Sequence, residues 1–183
     1  DQRAHPAVWS YLIVDEPDML DWQYHRTNPA TPPVSWGDQV GHHAPRCVET
    51  YAATAALDPM RPLALNLDMT YKPDNWYTYG HVPDVFMHDN YPLMYGGTLN
   101  MTCRTQREVR SAAAPNPTVA LYQNCHWAGE GIDRRMAPGE LVRLMLYPLG
   151  EGAQGLIGWW NVTAREPSGK AYWSTDTYPD LWD

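Results

Sequence analysis

Asp15 and Glu16 stand side by side, directly after the apolar run Tyr11 to Val14 and directly before Pro17. A strand that ends in two acids and a residue unable to donate to a ladder is a strand whose end does something other than pair. The same kind of ending recurs along the chain. The second apolar run carries Asn66 and Asp68 and is followed by Tyr71; the third ends in His88, Asp89, Asn90 and Tyr91. The fourth ends in Gln123, Asn124, His126 and Trp127, and the fifth in Trp159, Trp160 and Asn161. The opposite ends are bland: Ala7, Pro62, Pro83, Pro117 and Gly155. Carboxylates, amides and indoles together are the kit for glycosidic bonds. One carboxyl group protonates the leaving oxygen, and a second group attacks or stabilises the oxocarbenium-like state. Flat rings stack on the C–H faces of the sugar while polar groups meet its hydroxyls.

Roles follow from this pattern. Glu16 is the candidate general acid, against the plainer role of a salt bridge to an arginine. Asp15 and Asp89 compete to be the second catalytic carboxylate. Adjacent strand residues point to opposite faces, so Asp15 and Glu16 share a site only if the strand end kinks. Asn66, Asp68, His88, Tyr91 and Gln123 are candidates for substrate hydrogen bonds. Trp159 and Trp160 alternate sides, so one of them is expected to face the ligand and the other to pack under a helix. There is no Ser-His-Asp order, phosphate loop or Gly-x-Gly-x-x-Gly. His42 and His43 are adjacent and unsupported by further ligands. No metal and no cofactor is expected.

These side chains need a frame to bring them together. Five apolar runs are bounded by turn residues: Val8 to Val14, Leu63 to Met69, Val85 to His88, Thr118 to Asn124 and Leu156 to Val162. Most are continuous rather than alternating, as in strands buried on both faces of a parallel sheet. Helical patterns lie between them. His43 to Leu57 is Ala-rich, with apolar positions at Val48, Tyr51, Ala52 and Ala55; Thr102 to Ala114 is a second. Pro138 to Gly150 is the strongest, with Pro138 in its first turn, Glu140 at its positive end, a stripe of Leu141, Leu144, Met145 and Leu149, and a bend expected at Pro148. A single helical turn is expected at Asn75 to Tyr79, and residues 28–43 read as a Pro-rich surface loop. The order is β-α-β-β-α-β-α-β, an α/β arrangement with right-handed crossovers in one domain over residues 1–183. In such sheets ligands bind at the C-terminal ends of the strands, which is where the polar residues gather.

Composition agrees. The 183 residues are 44% hydrophobic and 19% charged, an ordinary globular balance. A net charge of −8 speaks against nucleic acid and against an anionic membrane surface. No apolar run approaches the ~20 residues that span a bilayer. The chain starts at Asp1 with no visible signal peptide, so processing, trimming or excision from something longer is expected. Nine Trp and twelve Tyr stand beside a single Phe, a choice that suits amphipathic ligands as well as a core with satisfied hydroxyls. Cys47, Cys103 and Cys125 form no C-x-x-C; one disulfide with an odd thiol and three free thiols both remain open. Asn100 and Asn161 open N-x-T sequons.

"YLIVDEPD" resembles the fourth-strand signature of (β/α)8 glycoside hydrolases, in which an acid/base Glu sits at the strand end and Pro follows. "DVFMHDNYPL" is similar to their sixth strand, and "RRMAPGELVRLMLYPLGEGAQGLIGWW" to their last helix and eighth strand. The resemblance runs from Val8 to Trp160. It implies a partial parallel (β/α) barrel, strands four to eight, about five-eighths of the whole, with three βα units supplied by a preceding segment or a second chain. It also implies an oligosaccharide or polysaccharide substrate and a secreted or periplasmic setting. Two departures matter. Asp15 stands where the largest clan of these barrels has Asn, and strand seven ends in Gln123-Asn124 where that clan has a nucleophilic Glu. The Asp-Glu pair is instead similar to that of hexosaminidases using substrate assistance, where Glu protonates the glycosidic oxygen and Asp orients the substrate's acetamido group. Tyr91, Trp159 and Trp160 would then be the Tyr and Trp of the sugar cage.

The rival classes are a non-catalytic carbohydrate-binding barrel, which would keep the aromatics and lose the acids, a metal-dependent hydrolase built on Asp68, His88, Asp89 and His126, and an inactive structural fragment.

Overall fold

The computed structural model describes residues 5–21, 41–68, 73–93, 96–123, 125–127, 137–159 and 172–174. Seven strands appear: β1 (Tyr11–Asp15), β2 (Leu63–Leu67), β3 (Val85–Asn90), β4 (Thr118–Gln123), β5 (Cys125–Trp127), β6 (Gly155–Trp159) and β7 (Tyr172–Ser174). Helices α1 (Ala44–Leu57), α2 (Pro73–Tyr79), α3 (Asn100–Ala113) and α4 (Pro138–Gly150) lie between them. The hydrogen-bonded order of the main sheet is β1-β2-β3-β4-β6, and β5 pairs with β7 in a separate antiparallel ribbon. The main sheet is parallel at β1–β2, β2–β3 and β4–β6. The five expected strands therefore exist in the expected order; the β5/β7 ribbon was not foreseen. The chain divides into two compact units, Asp1–His88 with Glu108–Thr118, and Asp89–Arg107 with Val119–Asp183.

In the first unit, β2 is buried at every residue, as the central strand of a two-sided layer must be. Leu65 and Leu67 meet Phe86 of β3, Cys47 of α1, Trp76 and Tyr79 of α2, and Val109, Ala112 and Ala113 of α3. Each such aliphatic side chain contributes roughly 1.5–3 kcal/mol by leaving water. Side chains alternate along a strand, so Asn66 lies on the face away from these helices. Two aspartates set the starts of the strands. Asp58, which caps α1, accepts the Tyr11 hydroxyl at 2.9 Å and Arg61 Nη1 at 2.9 Å. Asp84 accepts the backbone N–H of Leu63 at 2.9 Å and the Tyr51 hydroxyl at 2.8 Å.

Element edges differ from the expectations. β1 begins at Tyr11 rather than Val8, because Val8 donates its N–H back to His5 in a turn. β2 stops at Leu67, and β3 runs on through Asp89 and Asn90. β4 ends at Gln123, and β6 covers Gly155–Trp159 rather than Leu156 to Val162. The buried side of α1 is rotated from the expected stripe: Val48 is 53% exposed and Cys47 is fully buried. The contacts that decide this are those of Cys47 and Ala44 with the Leu65–Trp76–Tyr79 cluster. The short turn at Asn75–Tyr79 is a two-turn helix opened by Pro73.

The second unit packs Leu141 and Leu144 of α4 against Leu93, with Leu99, Tyr122 and Met145 around them. Leu149, the fourth member of the expected stripe, is 42% exposed. Glu140 Oε2 accepts the N–H of Ala137 at 2.8 Å, closing the first turn, and the helix continues through Pro148 to Gly150. Asn90 Nδ2 donates to Thr105 Oγ1 at 2.9 Å, joining the end of β3 to α3. Cys47 and Cys103 are free thiols. Among the described residues, no helix is long and apolar enough to cross a membrane.

Candidate active site

The C-terminal ends of β1 and β2 hold the acids. β1 follows β2 in register up to Asp15↔Asn66, and Glu16 keeps one more rung by donating its N–H to the Asn66 carbonyl at 2.9 Å. There the backbone breaks its path. Glu16 has φ +45°, a left-handed conformation that a side chain bearing Cβ disfavours by roughly 1–2 kcal/mol. Pro17 follows and opens a helical turn over residues 17–21, whose first N–H groups, those of Met19 and Leu20, bond the Glu16 carbonyl at 3.0 and 3.3 Å. Proline in the first turn loses a donor that has no partner there in any case.

The kink settles the question raised by alternation. Asp15 accepts a hydrogen bond from Asn66 Nδ2 at 3.0 Å, so it stands over the face of β2 that points away from α1, α2 and α3. Glu16 would point the other way in a regular strand. Instead one of its carboxylate oxygens lies within 4.8 Å of one from Asp68. Asp68 is buried and two residues beyond Asn66, so both acids of the Asp-Glu pair reach the same side of β2. Asn66 is buried too. Its amide nitrogen is held by Asp15, and its Oδ1 has no hydrogen-bond partner among the described residues. A buried amide oxygen without a partner is an expensive feature in a folded core and a useful one in a binding site.

Two more aspartates surround the turn that follows Glu16. Asp18, fully buried, accepts the Asp68 N–H on Oδ1 at 3.1 Å. Asp21, also fully buried, accepts the Tyr79 hydroxyl at 2.7 Å, the His43 N–H at 2.8 Å and a 2.7 Å bond involving His43 Nδ1. Burial, then the hydrogen bond to Asp21, pushes the Tyr79 hydroxyl far above its ordinary range. Burial first, and Asp21 second, raise the Cys47 thiol from 9.0 to about 11. His43 is thus an anchor of Asp21 rather than half of a metal-binding pair with His42. Asp18 and Asp21 were not among the residues expected from the sequence; their i, i+3 spacing just past the Asp-Glu-Pro triplet is the signal that could have found them.

The remaining expected residues fall as follows. His88 is register partner of Leu67 and has the parity of Phe86, which places it on the helix-facing side of the sheet, away from Asn66. Asp89 and Tyr91 belong to the second unit and are buried at and just beyond the end of β3. Gln123 is buried at the end of β4, and Trp159 is its register partner on β6. Trp160, Asn124, Asn161, Tyr71 and residues 28–40 lie outside the described residues, as do the side chains of Trp159, Cys125, His126 and Trp127.

No family model matches the chain. No curated protein matches it. Among solved structures it is similar to the GH2 β-galacturonidase from Eisenbergiella tayi bound to galacturonate, at 15% identity and a TM-score of 0.51, over 77% of this chain and 30% of that one. It is also similar to the glycoside hydrolase family 17 β-1,3-glucanosyltransferase from Rhizomucor miehei, at 12% identity and a TM-score of 0.47, over 87% of this chain and 65% of that one. The chain thus spans less than two thirds of either protein. At this identity, the likeness to the first shows a shared fold.

Proposed function

We propose that the chain carries part of a (β/α)-barrel glycoside hydrolase, with Glu16 as the proton donor to the glycosidic oxygen. One observation carries the reading: the left-handed backbone at Glu16 swings its carboxylate toward Asp68 at the C-terminal ends of β1 and β2. Strained backbone of this kind persists where surrounding contacts over-determine it, and it clusters at working sites. The fold shared with the galacturonidase supports the barrel assignment.

In this mechanism Glu16 gives its proton to the departing oxygen, and a second group meets the positive charge growing at the sugar. Asp68, whose carboxylate lies close to that of Glu16, is assigned that second role. A spacing within 4.8 Å fits a closely set pair better than one ~6.5–9.5 Å apart, which leaves room for an attacking water between them. Asp89, the residue after His88 on β3, is the rival. Asp15 is tied to Asn66 and serves to hold that amide, whose free Oδ1 would accept a hydrogen bond from a sugar hydroxyl or from an acetamido N–H. The substrate class is an oligosaccharide or polysaccharide, and the setting is secreted or periplasmic.

A metal-dependent hydrolase is the second reading, because two carboxylate oxygens this close could share one hard cation. Release of reducing sugar from a panel of oligosaccharides, with and without EDTA, tests both. Hydrolysis that persists in EDTA supports the proposed mechanism, and hydrolysis abolished by EDTA and restored by a divalent ion favours the second. No hydrolysis of any glycoside by the protein with its barrel complete removes both in favour of a binding protein.

A further inference from the structure

We infer that Asp18 is a positioning residue, which sets the separation of Glu16 and Asp68, and that Asp21 anchors the turn on which Asp18 acts. The inference rests on the proposed role of Glu16 and deepens it. Glu16 is joined to the helical turn 17–21 through its own carbonyl, which accepts the N–H groups of Met19 and Leu20. Any movement of that turn therefore moves Glu16. Asp18, two residues on, reaches across to the backbone N–H of Asp68. One hydrogen bond thus ties the turn that carries the first acid to the peptide that carries the second. It is buried, so water does not compete for it.

The far end of the turn is fixed as well. Asp21 is held by the Tyr79 hydroxyl from α2 and by the N–H and ring of His43 at the start of α1. Those two helices pack on the opposite face of β1 and β2 from Asn66. Two fully buried aspartates three residues apart, each engaged by another element, are costly to place in a short turn. The cost is accounted for if the turn must hold a left-handed Glu16 in one orientation. Neither Asp18 nor Asp21 needs to touch a substrate for this.

The test compares two glycosides of the same sugar, one with an alkyl leaving group that requires a proton and one with a dinitrophenyl leaving group that does not. A displacement of about 1 Å at the acid costs on the order of 10²-fold in rate. For Asp18→Ala the expected result is a fall in kcat/KM, which reports the acid-assisted step, of roughly 10–100-fold on the alkyl glycoside and of under about threefold on the dinitrophenyl glycoside. Equal losses on the two substrates, or none, would overturn the inference, because a merely structural role does not distinguish leaving groups. If Asp18→Ala fails to fold, Asp18→Asn decides. Its neutral oxygen accepts the same bond more weakly, so a smaller but selective loss on the alkyl glycoside supports positioning, and a leaving-group ratio unchanged from the original overturns it. An unsubstituted chain that cleaves neither glycoside would instead strike at the role given to Glu16.

Discussion

Glu16 is a glutamate where the backbone would prefer glycine, and that preference gives the residue its meaning. Replacing it by Gly would relieve the strain and remove the carboxylate, so stability and turnover should move in opposite directions; thermal unfolding alongside a rate assay reads both. Asn66 makes a different prediction. Its free Oδ1 is assigned to a substrate hydroxyl, and one neutral hydrogen bond is worth ~0.5–1.5 kcal/mol. Asn66→Ala should therefore raise KM by up to about tenfold with a smaller change in kcat. The pair Asp68→Asn and Asp89→Asn assigns the second carboxylate: the account expects the larger fall in kcat from Asp68→Asn. At this scale the sequence was partly legible. The Asp-Glu-Pro triplet pointed to Glu16, and simple alternation left its partner open between Asp15 and Asp89. The direction of the Glu16 carboxylate turned on a single dihedral angle that no residue type at position 16 announces. His88 looked like a site residue for its chemistry alone; its register with Leu67 turns it to the helices.

At the scale of elements, apolar runs bounded by turn residues located the five strands of the main sheet, since a strand buried on both faces must be continuous in sequence. Their ends were less legible because they are set by side chains distant in sequence, such as Asp84 on the Leu63 N–H. Helix α1 shows the same limit. Its Ala-rich face offered several equivalent stripes, and Cys47 won through its contacts with Trp76 and Tyr79. That junction carries two predictions. Tyr79→Phe leaves Asp21 short of one donor inside the fold, and a hydrogen bond to a charged group is worth ~1.5–3 kcal/mol. A matching drop in unfolding free energy, read from the denaturant midpoint, is expected. The second concerns alkali. The Cys47 thiol goes from 9.0 to about 11 on folding. The folded state therefore keeps a proton that the unfolded chain loses, so this stability is present below pH 9 and is lost as pH climbs toward 11. Tyr79 is raised too and acts with the same sign at higher pH. Denaturation at stepped pH should show the decline beginning near pH 9, and Cys47→Ala should flatten it; a profile that the substitution leaves unchanged would contradict this.

At the scale of the molecule, the net charge of −8 agrees with a substrate that is not nucleic acid. Salt bridges are not what the account leans on. Arg107 meets Glu151 through Nε at 2.6 Å, but the arginine side chain is 67% exposed. Arg107→Ala should therefore leave the denaturant midpoint nearly unchanged. The central claim is that the strained carboxylate at the end of β1 donates a proton to a glycosidic oxygen. Turnover of a glycoside with a poor leaving group by Glu16→Gln tests it most directly. The amide keeps the shape and lacks the proton, so the account predicts a fall of ~10²-fold or more with sugar binding retained. Turnover equal to that of the unsubstituted protein would contradict it.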